Sequence, residues 1–99
     1  MSRFVVLLAL VLAAMANYEN SLVIALNKDN YFEHANSGIW LMKLYANWCG
    51  HCRNMEPAWK ETAAALSGII KVGAIDLAVE RVDVGGIQGF PTIRFLHDG

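Results

Sequence analysis

The chain has 99 residues, two cysteines and a formal net charge of −1; 56% of its residues are hydrophobic and 17% are charged. This length accommodates one small domain and excludes a two-domain dinucleotide-binding enzyme or a barrel enzyme. The apolar content excludes a disordered tail, and the near-neutral charge offers no basic surface for a nucleic acid.

The first 16 residues have the pattern of a secretory signal peptide. Arg3 supplies a positive charge, residues 4–15 form a continuous apolar run, and small side chains at Ala14 and Ala16 mark a cleavage site. A membrane anchor is the alternative, but at about 1.5 Å per residue this run reaches only roughly 20 Å, less than the bilayer core of about 30 Å. We therefore expect cleavage after Ala16 and a mature domain of residues 17–99 that is not stably inserted in a membrane and enters an oxidising compartment.

The first part of the mature chain predicts a strand, a helix and a second strand. The short apolar segment Leu22–Leu26 predicts a buried strand. Asn30 followed by Glu33 predicts a capped helix that ends at Gly38. Residues Ile39–Tyr45 are mostly apolar on both faces, as in a strand covered by helices on both sides, so we expect this strand to be central in a sheet.

The second part of the chain predicts a long amphipathic helix and two further strands. Apolar positions recur every three or four residues at Cys52, Met55, Trp59, Ala63 and Leu66. Pro57 falls inside this helix, where it removes one backbone hydrogen bond, and we expect a kink rather than a stop. Beyond it we expect a strand at Ile69–Asp76, one or two turns of poor helix at Val79–Val84, and a last strand at Thr92–Leu96. The predicted order is βαβαβαβ, an α/β fold.

The two cysteines form the motif Cys49-Gly50-His51-Cys52 at the junction between the central strand and the long helix. Backbone N–H groups and the helix dipole at such a junction lower the pKa of a thiol, so we expect Cys49 to be exposed and nucleophilic. The spacing puts Cys52 about one turn deeper, close enough to resolve a disulfide but too buried to attack a substrate. We expect Gly50 to permit a tight turn, and His51 to donate a hydrogen bond or a positive charge to the Cys49 thiolate.

Two other roles of the cysteine pair are open. A structural zinc site needs four ligands, but His34 and His97 lie far apart in the sequence and no second close pair accompanies the cysteines. An inert structural disulfide would close so short a loop that it would restrain little of the unfolded chain. We therefore favour a redox site and expect neither a metal ion nor a cofactor.

Three sequence patterns resemble those of a known family. They are residues 45–53 (YANWCGHCR), Pro57 after the second cysteine, and residues 89–92 (GFPT). With these patterns the chain resembles the thioredoxin superfamily and, within it, the catalytic domains of protein disulfide isomerases. The resemblance covers Leu22–Gly99 and implies a three-layer thioredoxin-like sandwich with a central mixed β-sheet.

The resemblance also implies roles for individual residues and partners. By it, Cys49 is the attacking thiol and Cys52 the resolving thiol, Trp48 shields the site, and Pro91 is a cis-proline packed against the disulfide. A cis bond after Phe90 would leave the neighbouring backbone free to pair with an extended substrate. The implied partners are unfolded or partly folded secretory proteins with thiols or disulfides, and thiol redox partners such as glutathione or an oxidase.

Two features depart from the family pattern. Lys43 stands where many members carry a buried acidic residue beneath the cysteines; as a cation it would favour thiolates, unless its amine reaches solvent while its stem stays buried. The family fold continues after residues 97–99 with an edge strand and a closing helix, so we expect a C-terminally incomplete domain in which Thr92–Leu96 is an open edge and the sheet face beside the long helix is uncovered. No retrieval signal of the Lys-Asp-Glu-Leu type occurs, so the expected location is the endoplasmic reticulum lumen or outside the cell.

The sequence supports two hypotheses of function. The first is a thiol–disulfide oxidoreductase or isomerase that uses Cys49 and Cys52 on proteins folding in the secretory pathway. The second is a non-catalytic peptide-binding or chaperone-like fragment whose exposed apolar face binds clients. The two hypotheses differ in one measurable property: only the first requires Cys49 for activity on a disulfide substrate.

Overall fold

The computed structural model describes residues 18–99; the predicted signal peptide, residues 1–16, lies outside them. Within the described range, the strands are β1 (Ile24–Leu26), β2 (Ile39–Tyr45), β3 (Lys71–Asp76) and β4 (Thr92–His97). The helices are α1 (Tyr31–Ala35), α2 (Gly50–Asn54) and α3 (Glu56–Ala65). None of the helices in this range is long and apolar enough to cross a membrane.

The strands form one mixed sheet in the order β1-β3-β2-β4. β1 and β2 both pair with β3 in parallel, with Ile24 opposite Gly73 and Lys43 opposite Ala74. β4 pairs with the other side of β2 in antiparallel orientation, with Ile93 opposite Lys43. β2 is therefore an inner strand, as its two apolar faces predict.

Both faces of the sheet carry a packed layer. On one face, Trp40 of β2 lies in a buried cluster with Tyr31 of α1. On the other face, Val72 of β3 packs with Trp59 of α3, whose indole N–H donates to the Gly73 carbonyl oxygen at 3.1 Å. The result is a three-layer α/β sandwich, and the predicted fold class is confirmed.

The first strand is shorter and less buried than the sequence predicts. β1 begins at Ile24 and is an edge strand of the sheet. Leu26 packs in the cluster that contains α1, whereas Leu22 and Ile24 are exposed. Val23 packs in the cluster that contains Trp59, so only part of the segment is buried and the expected burial of the whole segment is wrong.

The first helix is also shorter than predicted. Asn30 precedes α1, but its side chain accepts from the Asn27 backbone N–H at 2.8 Å and does not cap the helix. α1 ends at Ala35, before the expected stop at Gly38. Gly38 lies instead in a turn with φ of +86°, a conformation that favours glycine, and its N–H donates to Asp98 Oδ1 at 2.7 Å.

The predicted long helix is interrupted at one residue. Met55 alone separates α2 from α3. Hydrogen bonds continue across the break, from the Met55 N–H to the His51 carbonyl at 3.2 Å and from the Trp59 N–H to the Met55 carbonyl at 2.8 Å. Pro57 has no N–H to donate to the Arg53 carbonyl, which explains the break. The expected kink is thus a division into two helices with nearly continuous hydrogen bonding.

The weak helix predicted at Val79–Val84 does not form. After a turn at residues 77–79 the chain runs to β4 without regular secondary structure. Val82 and Ile87 still pack against the buried cluster on the α1 side of the sheet. Gly85, with φ of +83°, disfavours a helix in this segment. The segment therefore covers the sheet as a loop.

Part of the sheet surface is uncovered within residues 18–99. β4 is the outermost strand, and Ile93 and Phe95 are exposed on it. Phe95 lies opposite Leu41 of β2, which belongs to the face that packs against α3. Within residues 18–99, β4 is therefore an edge strand with exposed apolar side chains, and the expected incompleteness of the domain stays a prediction.

Candidate active site

The Cys49-Gly50-His51-Cys52 motif lies where β2 ends and α2 begins. Cys49 is the N-cap residue of α2, with φ −80° and ψ 119°, and its backbone N–H donates to the Ala46 carbonyl at 3.0 Å. Cys49 Sγ accepts a hydrogen bond from the Cys52 backbone N–H at 3.4 Å. The sulfur thus takes the place of a capping oxygen at a helix N-terminus, where a thiolate is stabilised.

Both cysteines are free thiols, and both are buried to different degrees. The exposed fraction is 8% for Cys49 and 1% for Cys52. The prediction that Cys49 is exposed is therefore wrong, because Phe90 and Tyr45 pack against the cysteines. Cys49 Sγ also donates to the Phe90 carbonyl oxygen at 3.5 Å. The predicted order of accessibility is correct, since Cys49 is more exposed than Cys52.

The pKa values of the two thiols are shifted in opposite directions. The hydrogen bond from the Cys52 side chain lowers the pKa of Cys49 against the effect of burial, and the backbone N–H groups of Cys52 and His51 and the Lys43 charge add to the lowering. Burial raises the pKa of Cys52, and its side-chain hydrogen bond to Cys49 raises that pKa further. Ionisation therefore favours Cys49, the sulfur expected to attack.

Gly50 and His51 form the first residues of α2. Gly50 has no positive φ, and a Cβ atom there would meet nothing within 4 Å. The structure therefore shows neither a backbone conformation nor a close contact that demands glycine at this position, and the tight turn expected of Gly50 stays a prediction. The His51 side chain is exposed, and its contribution to the Cys49 sulfur is a backbone N–H. The charge effect expected of the His51 imidazole stays a prediction.

Phe90 and Pro91 lie beside Cys49 in the loop that precedes β4. The Phe90–Pro91 peptide bond is cis, as the resemblance implies. The Phe90 ring meets Trp48 edge to face, with ring centroids 5.8 Å apart, and Trp48 is 66% exposed. Trp48 and Phe90 therefore form an aromatic rim next to the Cys49 sulfur.

Lys43 lies beneath the cysteine pair. The side chain is 0% exposed, so its amine does not reach solvent. Lys43 Nζ donates to the Cys52 carbonyl oxygen at 2.8 Å and to the Tyr18 hydroxyl. The rings of Tyr18 and Tyr45 lie 5.1 and 5.0 Å from Nζ, within cation–π distance. Burial lowers the pKa of Lys43, whereas negative charge on Cys52 raises it.

Two residues at the site have no clear signal in the sequence. Tyr18 precedes β1, and only the fold brings its hydroxyl to Lys43. Asn47 donates from Nδ2 to Asp76 Oδ2 at 2.9 Å, and its carbonyl oxygen accepts from Arg53 Nε at 3.0 Å. Asn47 thus ties the loop before α2 to β3 and α2.

The structure brings no histidine to the cysteines other than His51 of the motif itself. His34 packs edge to face against Trp40, with ring centroids 5.7 Å apart. His97 lies beside Asp98, with a nitrogen–oxygen distance of 3.7 Å. Residues 18–99 contain no group of three or more His, Cys, Asp or Glu side chains placed to hold a metal ion.

Comparison with known proteins relates the chain to one family. The thioredoxin family model matches residues 22–99. Protein disulfide-isomerase A6 of Mesocricetus auratus is 42% identical over 91 residues, and that of Homo sapiens is 43% identical over 79 residues. The aligned parts cover 86% and 75% of this chain, but only 20% and 18% of those proteins. The chain therefore spans a small part of the length of these relatives.

Two solved structures share the fold. The J-Trx1 fragment of ERdj5 superimposes with a TM-score of 0.74 at 24% identity, over 84% of this chain and 43% of that chain. The Trx4 domain of ERdj5 superimposes with a TM-score of 0.71 at 25% identity, over 78% of this chain and 71% of that chain. These likenesses support the sandwich architecture described above.

Proposed function

The chain belongs to the thioredoxin family and is related to protein disulfide-isomerase A6, and from this premise we propose that it is a thiol–disulfide oxidoreductase or isomerase. Its substrates are disulfides and dithiols of proteins that fold in the secretory pathway, and its site is the pair Cys49 and Cys52. The main support is the Cys49 sulfur at the N-terminus of α2, where a backbone N–H lies at 3.4 Å. A sulfur in this position is stabilised as a thiolate, the nucleophilic form.

The first step joins the chain to its substrate. The Cys49 thiolate attacks one sulfur of a substrate disulfide; the substrate S–S bond breaks and a mixed disulfide forms with Cys49. The leaving substrate sulfur takes the electron pair of the broken bond and then a proton from water. The lowered pKa of Cys49 supports this role, because a larger fraction of the thiol is ionised near neutral pH.

The second step releases the substrate. Cys52 loses its proton and attacks Cys49 Sγ, which forms the Cys49–Cys52 disulfide and frees the second substrate thiolate. The substrate has then gained two electrons and two protons, which the two cysteines have lost. Reversal of both steps passes the disulfide to a substrate dithiol. Burial raises the pKa of Cys52, so the resolving thiol of the free domain stays protonated.

The loop before β4 supplies the proposed substrate-binding surface. The Phe90 carbonyl oxygen lies 3.5 Å from Cys49 Sγ, so a substrate backbone that pairs with Phe90 and Pro91 brings its own sulfur close to Cys49. The exposed ring of Trp48 then contacts an apolar side chain of the same substrate segment.

The proposed setting is the endoplasmic reticulum lumen or the exterior of the cell. The signal-peptide pattern in residues 1–16 and the relationship to protein disulfide-isomerase A6 support this location. The proposed redox partners are glutathione or an oxidase, since the domain needs a second dithiol–disulfide couple to return to its starting state. The electrons move between sulfur atoms, and the proposal therefore includes no cofactor.

Reduction of insulin disulfides by glutathione tests the proposal. The full chain should accelerate the reaction, and Cys49→Ser should abolish the acceleration because the attacking sulfur is lost. Cys52→Ser is the matched control: it keeps the attacking thiol but should accumulate mixed disulfides, visible by mass before reduction. Insulin reduction by Cys49→Ser at the rate of the parent chain would refute the proposal.

The uncovered apolar surface supports a second candidate function. Ile39, Ile93 and Phe95 are exposed on the sheet beside α3. We propose as the alternative a peptide-binding or chaperone-like role for this surface. In that case Cys49→Ser should suppress the aggregation of a denatured client as well as the parent chain does, whereas Phe95→Lys should lose this ability.

A further inference from the structure

A buried ammonium group lies directly behind the resolving cysteine. In residues 18–99 no carboxylate oxygen lies within salt-bridge distance of Lys43. The ammonium is held by neutral partners: the Tyr18 hydroxyl, the Cys52 carbonyl oxygen, and the ring faces of Tyr18 and Tyr45. A buried cation without a directly paired anion exerts a strong field on nearby ionisable groups.

Tyr18 is the partner that lies nearest the amino terminus of the described chain. It precedes residues 22–99, the range that the thioredoxin family model matches. Tyr18 is nevertheless buried, and its ring meets Tyr45 edge to face with centroids 5.9 Å apart. Burial raises the pKa of Tyr18, so the hydroxyl stays neutral and its oxygen accepts a hydrogen bond from Lys43 Nζ. The segment before β1 thus contributes one polar atom, the Tyr18 hydroxyl oxygen, to the site.

We infer that Tyr18 and Lys43 are positioning residues that set the redox preference of the Cys49–Cys52 pair. Tyr18 holds the Lys43 ammonium against the Cys52 carbonyl oxygen, and the ammonium stabilises the ionised thiols of the reduced form. Stabilising the reduced form makes the oxidised form a stronger oxidant, so the site favours donation of its disulfide. This inference rests on the proposed thiol–disulfide function and deepens it.

The groups that face Lys43 come from several elements of the fold. They are Tyr45 of β2, Tyr18 before β1, Cys49 and Cys52 at α2, and Glu56 at the start of α3. The Lys43 charge lowers the pKa of each cysteine in return. As the pH falls below the thiol pKa values the thiolates are lost, and the effect of the cation on the redox equilibrium diminishes with them.

The redox equilibrium of the full chain in glutathione buffers gives the first test. Lys43→Met removes the charge and keeps the length of the stem; we expect a shift of about tenfold towards the disulfide, or about 30 mV in reduction potential. Tyr18→Phe removes one oxygen and keeps the ring, and we expect a shift of about threefold in the same direction. The double variant should match Lys43→Met alone, because Tyr18 acts through Lys43.

The pH profile of Cys49 alkylation by iodoacetamide gives the second test. Lys43→Met and Tyr18→Phe should each move the profile to higher pH, since the thiolate loses the support of the cation. Tyr31→Phe is the matched control, because Tyr31 is a buried tyrosine in the cluster on the other face of the sheet. It should change neither the profile nor the redox equilibrium.

Two results would overturn the inference. One is a folded Tyr18→Phe chain, checked by near-ultraviolet circular dichroism, with the redox equilibrium and alkylation profile of the parent. The other is an equal effect of Tyr18→Phe in the parent and in the Lys43→Met chain. If Lys43→Met does not fold, the comparison of Tyr18→Phe with Tyr31→Phe decides alone, since each differs from the parent by one oxygen.

The thiol measurements need no protein client, so the two proposals fail separately. A parent chain without Cys49-dependent insulin reduction would refute the proposed function and leave the thiol equilibria of the variants measurable. If the parent chain reduces insulin normally and the redox equilibrium of the Tyr18→Phe chain equals that of the parent, only the role of the Tyr18–Lys43 pair is overturned.

Discussion

At the scale of single residues, the structure separates two cysteines that share one motif. Cys49 has a lowered pKa and is 8% exposed, whereas Cys52 has a raised pKa and is almost fully buried. We expect iodoacetamide at mildly acidic pH to label Cys49 of the reduced chain first, because this sulfur is both more ionised and easier to reach. Peptide mapping after brief labelling measures the ratio. Preferential label on Cys52 would contradict the assignment.

The lowered pKa of Cys49 also predicts how the stability of the reduced domain depends on pH. Between this lowered pKa and the ordinary value of 9.0, the unfolded chain binds more protons than the folded chain. The contribution of Cys49 to the free energy of unfolding is therefore present above the ordinary value and is lost as the pH falls through the lowered one.

Urea denaturation of the reduced chain at several pH values measures this effect. The difference in the free energy of unfolding between the parent and Cys49→Ser should grow as the pH rises towards 9.0. A difference that stays constant with pH would show that the Cys49 thiol ionises equally in the folded and unfolded chains.

At the scale of elements, β3 packs too closely against β2 to accept a side chain at Gly73. A Cβ atom there would lie 3.0 Å from the Trp40 ring and 3.1 Å from the Met42 sulfur. Both side chains are fully buried. We expect Gly73→Ala to lower the free energy of unfolding by about 1–3 kcal/mol, measured by urea denaturation.

The matched control for this change is Gly86→Ala. A Cβ atom at Gly86 would meet nothing within 4 Å, so its effect should stay within about 0.5 kcal/mol. Equal unfolding midpoints for the two variants would mean that Trp40 and Met42 can rearrange around a methyl group at Gly73.

Within residues 18–99, the outer strand β4 presents apolar side chains on an edge that pairs with no other strand. Phe95 is 62% exposed, so Phe95→Lys should change the free energy of unfolding by no more than about 0.5 kcal/mol. We expect the same change to reduce self-association of the chain, because a charged side chain on an edge strand opposes pairing with another edge. Sedimentation velocity across a range of protein concentrations measures this effect.

Val79→Lys is the control for the edge prediction. Val79 is also an exposed apolar residue, but it lies in the turn after β3 and outside the sheet. If Val79→Lys lowers self-association as much as Phe95→Lys, general surface charge and not the open edge is responsible.

At the scale of the whole molecule, local patterns predict the inner elements and the position of the site. The two apolar faces of Ile39–Tyr45 place β2 inside the sheet, because such a strand needs cover on both sides. The cysteine spacing at a strand-to-helix junction predicts which sulfur caps the helix. The cis bond before Pro91 is different: single-sequence frequencies favour a trans bond, and only the family resemblance reverses this expectation.

The remaining features depend on contacts between distant residues. A lysine at position 43 can bury its stem and extend its amine to solvent, or bury both. The Tyr18 hydroxyl and the Cys52 carbonyl oxygen decide between these outcomes, and neither is adjacent to Lys43 in the sequence. In the same way, Val82 and Ile87 are partly buried against the sheet without forming a helix, so their apolar character does not reveal the conformation of the segment.

The strand order β1-β3-β2-β4 bears on how the domain assembles. β1 is synthesised before β3, yet Gly73, which pairs with Ile24, lies about half of the chain further on. Pairing β2 with β3 across α2 and α3 closes a shorter loop, so we expect the amino-terminal segment to dock after that pairing has formed. Lys43 therefore gains its hydrogen bond to the Tyr18 hydroxyl only when this segment docks. A newly made domain would acquire its mature thiol chemistry only when its earliest residues reach their place.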